Sequence, residues 1–79
     1  MDPMIEQIEK AVRAALPEGS MVTVGANGRG HFTIEAISPA FAGLSRLEQQ
    51  RLVYAAIAPL MAGNEAPVHA IDKLVTRAG

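Results

Sequence analysis

The chain has 79 residues, 49% of them hydrophobic, no cysteine and a formal net charge of −1. That length holds one domain, residues 1–79, and a domain this small hides only about 60% of the surface its unfolded chain exposes. The composition excludes a disulfide framework, a thiolate metal site and a cysteine nucleophile, and so weak a charge argues against the basic stripe of an electrostatic nucleic-acid binder.

Asp2-Pro3 opens a first helix, since aspartate caps free backbone donors and proline suits the first turn. Ile5, Ile8, Val12 and Ala15 recur at helical spacing, with Leu16 beside them. Glu6–Lys10 and Glu9–Arg13 are i,i+4 pairs in the favourable order. Pro17-Glu18-Gly19-Ser20 ends the helix. The acidic, amphipathic start does not read as a secretory signal. Met21 to Val24 follows as a first strand, with Val22 and Val24 on one face. Gly25 to Gly30 reads as a glycine-rich hairpin connection containing the turn pair Asn27-Gly28.

His31 to Ile37 is the clearest strand, with Phe32, Ile34 and Ala36 on one side and His31, Thr33, Glu35 and Ile37 on the other. Ser38-Pro39 stops it, and Ser38 to Phe41 makes one short helical turn. Gly43 redirects the chain. Ser45-Arg46-Leu47-Glu48 fits a capping box, so the main helix runs from about Arg46 to Met61. Leu47, Gln50-Arg51, Tyr54, Ile57-Ala58 and Met61 suggest its inward stripe, widened by Leu52, Val53 and Leu60. Pro59 predicts a bend or an end soon after. The apolar run Leu52 to Met61 is too short to span a bilayer. From the missing cysteines, the expected location is the cytoplasm. Gly63 to Pro67 is a second turn, and Val68 to Thr76 a last strand with poor alternation. The expected architecture is α+β: a three-stranded mixed sheet with helices on one face. The first pair is antiparallel, and the last strand is parallel to the middle one after a right-handed crossover.

His31 and His69 are the only histidines, and each begins a strand. Two parallel strands start at the same end of a sheet, so the fold brings both rings to one edge. Paired imidazoles suit iron, zinc or copper if a partner completes the site. The plainer alternative is that each ring bonds a loop carbonyl or faces water. Arg29, Arg46 and Arg51 could touch nucleic-acid phosphates, or simply solvate the surface. The Gly25–Gly30 loop lacks the lysine-serine pair and following helix of a phosphate loop. Ser45 has no accompanying base, Glu35 no partner carboxylate, and Phe41 and Tyr54 suit core or rim. Nothing assembles a catalytic site.

His31-Phe32, the run Ile37-Ser38-Pro39-Ala40-Phe41-Ala42-Gly43-Leu44-Ser45-Arg46, Gln49-Gln50 with Val53-Tyr54, and His69-Ala70-Ile71 together resemble the BolA-like family, in its short bacterial branch. The resemblance implies a fold related to type II KH domains, in the order α-β-β-α-α-β. It implies a non-enzymatic role and pairing with a monothiol glutaredoxin, sometimes through a shared 2Fe-2S cluster, in iron–sulfur assembly or trafficking and iron homeostasis. By that resemblance His69 is the family's C-terminal histidine ligand, and His31 stands where a second ligand comes from the first inter-strand loop. No cofactor is expected on the isolated chain, which is expected to be a monomer or weak homodimer. The alternative is a DNA-binding transcriptional regulator of stress response or cell morphology, contacting DNA around Arg46, Arg51 and Lys73, with Arg29 as a further phosphate contact.

Overall fold

Pro3 opens α1, which runs over Pro3–Ala14 and buries Ile8 and Val12. The computed structural model describes residues 3–63 and 66–79. The expected Asp2 cap and the Asn64-Glu65 part of the second turn lie outside the described residues. After α1 come β1 (Met21–Ala26), β2 (His31–Ile37), a 3-10 turn (Pro39–Phe41), α2 (Arg46–Met61) and β3 (Ala70–Arg77). The sheet order is β1-β2-β3. β1 pairs antiparallel with β2, and β2 pairs parallel with β3. This is the expected α+β arrangement, with the strand of clearest alternation in the middle.

Phe32, Ile34 and Ala36 of β2 are buried with Val22 of β1. Ile8, Val12 and Leu16 from the α1 side, Val53 and Ile57 of α2, and Phe41 and Val68 complete the core. Each such large apolar side chain contributes about 1.5–3 kcal/mol when fully hidden from water. Two hydroxyls enter this apolar layer without penalty because they satisfy each other. Ser20 Oγ and Ser38 Oγ share a 2.8 Å hydrogen bond. Ser20 also reaches the Pro17 carbonyl, and Ser38 accepts from the Ala40 amide.

Four features depart from the sequence reading. β1 extends to Ala26, because Gly25 and Ala26 pair with Thr33 and Phe32. Gly25 belongs to the ladder, not to the connection; a Cβ there would come within 2.9 Å of Thr33 Oγ1. β3 starts at Ala70, leaving His69 just outside it. In α2 the inward residues are Val53 and Ile57, whereas Leu47 and Tyr54 are 56% and 39% exposed. In that rotation Gln49 is also satisfied: its amide donates to the Phe41 and Leu44 carbonyls, and its oxygen accepts from Thr76 Oγ1 at 2.7 Å. Finally, the β2–β3 register slips by one residue, from Phe32↔Ile71 to Thr33↔Lys73. Asp72 is the unpaired extra residue. Ile71 and Leu74, three apart, therefore both pack against the core, which explains the poor alternation.

Candidate functional site

The site grows from the β1–β2 turn. Asn27 N–H donates to the His31 carbonyl at 2.7 Å, and His31 N–H to the Gly28 carbonyl at 3.1 Å. Gly28 and Gly30 close the turn at φ +97° and +75°, a region that costs other residues steric energy. The Gly30 carbonyl then accepts from both His69 N–H at 2.8 Å and Ala70 N–H at 3.1 Å. His31 lies opposite Ala70 in the ladder. The two histidines thus occupy adjoining backbone positions at one end of the sheet.

Their rings leave the backbone differently. His31 alternates with buried Phe32, so it stands on the sheet face turned away from the helices. There its Nδ1 lies 3.0 Å from Asp72 Oδ1, while Asn27 Nδ2 donates to Asp72 Oδ2 at 2.7 Å. The His31 and Asp72 side chains are 45% and 33% exposed. The hydrogen bond from His31, joined by that from Asn27, holds the Asp72 carboxyl below its ordinary pKa. His69 is exposed, and its ring lies over Gly30, where a Cβ would meet its Cγ and Cδ2 at 2.9 Å. It borders a shallow recess of about 230 Å³ with Met61, Gly63, Ala66 and Val68. Among the described residues no three histidine, aspartate or glutamate side chains converge as a metal site.

The basic residues are dispersed. Arg29 is exposed on the β1–β2 turn. Arg46, at the start of α2, lines a groove of about 380 Å³ with Gln50 and the end of β3 from Leu74 to Arg77. Lys73 faces the other side of the sheet, in a trough with Thr23, Thr33 and Glu35. Arg51 is exposed on α2 and lines neither. Arg77, which the sequence did not single out, pairs with Glu35 at 2.8 Å.

Residues 7–77 match the sequence profile described as BolA-like protein. The chain belongs to the BolA-like family. A solved bolA protein homologue from Coxiella burnetii is 30% identical, over 91% of this chain and 86% of that one, with a TM-score of 0.71. A bol-like protein from Babesia bovis is 32% identical, over 91% and 83%, with a TM-score of 0.66. The BolA domain of SufE1 from Arabidopsis thaliana shares the fold at 23% identity, over 98% and 93%, with a TM-score of 0.72. Among curated proteins, none matches in sequence.

What this BolA-like domain offers a metal is two imidazoles and no thiol. Neutral imidazole nitrogen is a borderline ligand that suits iron, copper and zinc. Asp72 and Asn27 were not among the residues the sequence suggested. They lie 41 and 45 positions from their partners, His31 and Asp72 respectively. The broken alternation of β3 was the one local sign of something irregular there.

Proposed function

We propose that this BolA-like domain is a non-enzymatic cytoplasmic adaptor that pairs with a monothiol glutaredoxin in iron–sulfur cluster assembly, trafficking or iron homeostasis. Alone, as a monomer or weak homodimer, it holds no cluster. In the pair, His69 and His31 are its ligands to a shared 2Fe-2S cluster, and the partner's cysteine and bound glutathione supply the sulfur ligands. The observation that carries this reading is the placement of two imidazoles on adjoining chain segments at one end of the sheet, with His69 exposed. Two imidazoles fit the vacant ligand positions of a cluster whose other ligands are thiolates. When bound, the cluster supplies one-electron chemistry, at a potential that imidazole ligation raises. The chain's part is to present and orient the rings: Gly30 makes room for His69, and Asp72 holds His31.

Anaerobic reconstitution with a monothiol glutaredoxin, iron and sulfide tests it. A visible charge-transfer spectrum is expected for the pair, and His69→Ala should shift or abolish it. Absence of a complex, or a spectrum indifferent to His69→Ala, would remove the reading. The nucleic-acid alternative draws less support. Arg29 and Arg46 lie near opposite ends of β3, and Lys73 is across the sheet from the helices. No continuous basic stripe forms from them.

A further inference from the structure

The side chains of Asn27, His31 and Asp72 come from three different elements: the β1–β2 turn, β2 and β3. They meet because β3 carries one residue more than its partner strand requires. That residue is Asp72, which has no opposite number on β2. Bulges are rare in parallel pairs and commonly re-aim a side chain. Here the re-aimed group is a carboxylate with both oxygens engaged, Oδ1 by His31 and Oδ2 by Asn27. An ionised carboxylate can only accept hydrogen bonds. The His31 Nδ1 facing it at 3.0 Å must therefore carry the proton. In a neutral ring that leaves the lone pair on Nε2, at the far side of the imidazole from Asp72. Free neutral imidazole side chains in water favour the opposite tautomer, so the arrangement works against the default.

We propose that Asp72, steadied by Asn27, is a positioning residue that fixes His31 in its Nδ1–H tautomer and presents Nε2 as the metal-ligating atom. This rests on the reading of His31 as a ligand, and it says which atom binds and what aims it. A carboxylate on the far nitrogen also makes an imidazole a stronger ligand, and loss of such a partner typically weakens metal binding by about 10–100-fold. His69 has a different support, the Gly30 backbone against its ring. The two ligands are thus oriented by unrelated devices, and damage to one should leave the other in place.

Long-range proton–nitrogen NMR of the free chain, in alkaline buffer where the rings are neutral, reads the tautomer without any cluster. Wild type should show His31 mainly as Nδ1–H. Asp72→Ala should return it to mainly Nε2–H, and Asn27→Ala, which leaves the carboxylate in place but less constrained, should fall between them. Dominance of Nε2–H in wild type, or a tautomer unchanged in both variants, overturns the proposal. Should Asp72→Ala not fold, Asn27→Ala and the wild-type spectrum still decide it. In the reconstituted pair, Asp72→Ala should weaken cluster retention about 10–100-fold, as His31→Ala does or less. If His31→Ala weakens retention and Asp72→Ala does not, the positioning role is overturned. A cluster indifferent to His31→Ala overturns instead the ligand assignment beneath it, whatever the tautomer spectrum shows.

Discussion

At Gly30 the backbone turns through φ +75° and a neighbouring imidazole occupies the space of a Cβ. The first demand costs an L residue about 1–2 kcal/mol. The second forces the His69 ring to move, because Cγ and Cδ2 would stand 2.9 Å from the new carbon. Gly28 has φ +97° but nothing within 4 Å of its Cβ position. Gly28→Ala should therefore show the backbone cost alone. Gly30→Ala should lose more stability in urea unfolding and also displace the His69 ring signals in NMR spectra. Equal losses, with His69 unmoved, would mean that the ring does not rest on Gly30. At this scale the histidines were legible because there are only two, His31 at the start of β2 and His69 one residue before β3. Their supports were not. Gly30 looked like one more loop glycine, and Asp72 finds its partners only once a bulge and a 41-residue separation are resolved.

Helix α2 illustrates what is readable in an element and what is not. Its ends were plain: Ser45 accepts from the Glu48 amide at 3.1 Å, and Glu48 Oε1 accepts from the Ser45 amide at 2.9 Å. The helix stops two residues after Pro59. Its buried side was only partly legible: the suggested stripe held Ile57, which is buried, but also Leu47 and Tyr54, which are exposed, and apolar residues lie around much of the helix. The buried side packs Val53 and Ile57 into the core, and Gln49 bonds to the Phe41 and Leu44 carbonyls and to Thr76 in the same orientation, contacts that local spacing does not contain. The capping box supports two tests. Ser45→Ala should cost about 0.5–2 kcal/mol in urea unfolding. The Ser45 backbone N–H, then its hydroxyl, hold the Glu48 pKa below its ordinary 4.5. A depressed carboxyl stabilises the fold above its unfolded pKa, and that contribution fades as pH falls through the folded value. Glu48→Gln keeps an oxygen acceptor but no charge. The stability advantage of wild type over Glu48→Gln should be constant near neutrality and shrink on acidification below about pH 4.5. An advantage that grows towards low pH would contradict the hydrogen bond.

The whole domain is one layer of helices on one side of a three-stranded sheet, and its site straddles the division. His31 and Asp72 lie on the face away from the helices, while His69 borders the recess beside Met61 and Val68. Topology was readable because the β2 alternation identified the central strand, and a helix between two strands implied parallel pairing. Among the described residues no helix is long and apolar enough to cross a membrane. The site therefore depends on a single small core to keep turn, β2 and β3 in register. A 79-residue domain has a net stability of about 4–12 kcal/mol. Truncating a fully buried isoleucine typically costs about 2–5 kcal/mol. Ile57 is 0% exposed and Leu47, on the same helix, 56%. Ile57→Ala should thus remove a large fraction of the total, whereas Leu47→Ala should stay within about 0.5 kcal/mol of wild type. Ile57→Val, at about 0.5–1.5 kcal/mol, keeps the test informative if the alanine variant does not fold. Urea unfolding of the three variants checks the ranking. A larger loss at Leu47 than at Ile57 would mean that α2 is rotated to bury Leu47, which sequence spacing placed on the inward stripe together with Ile57.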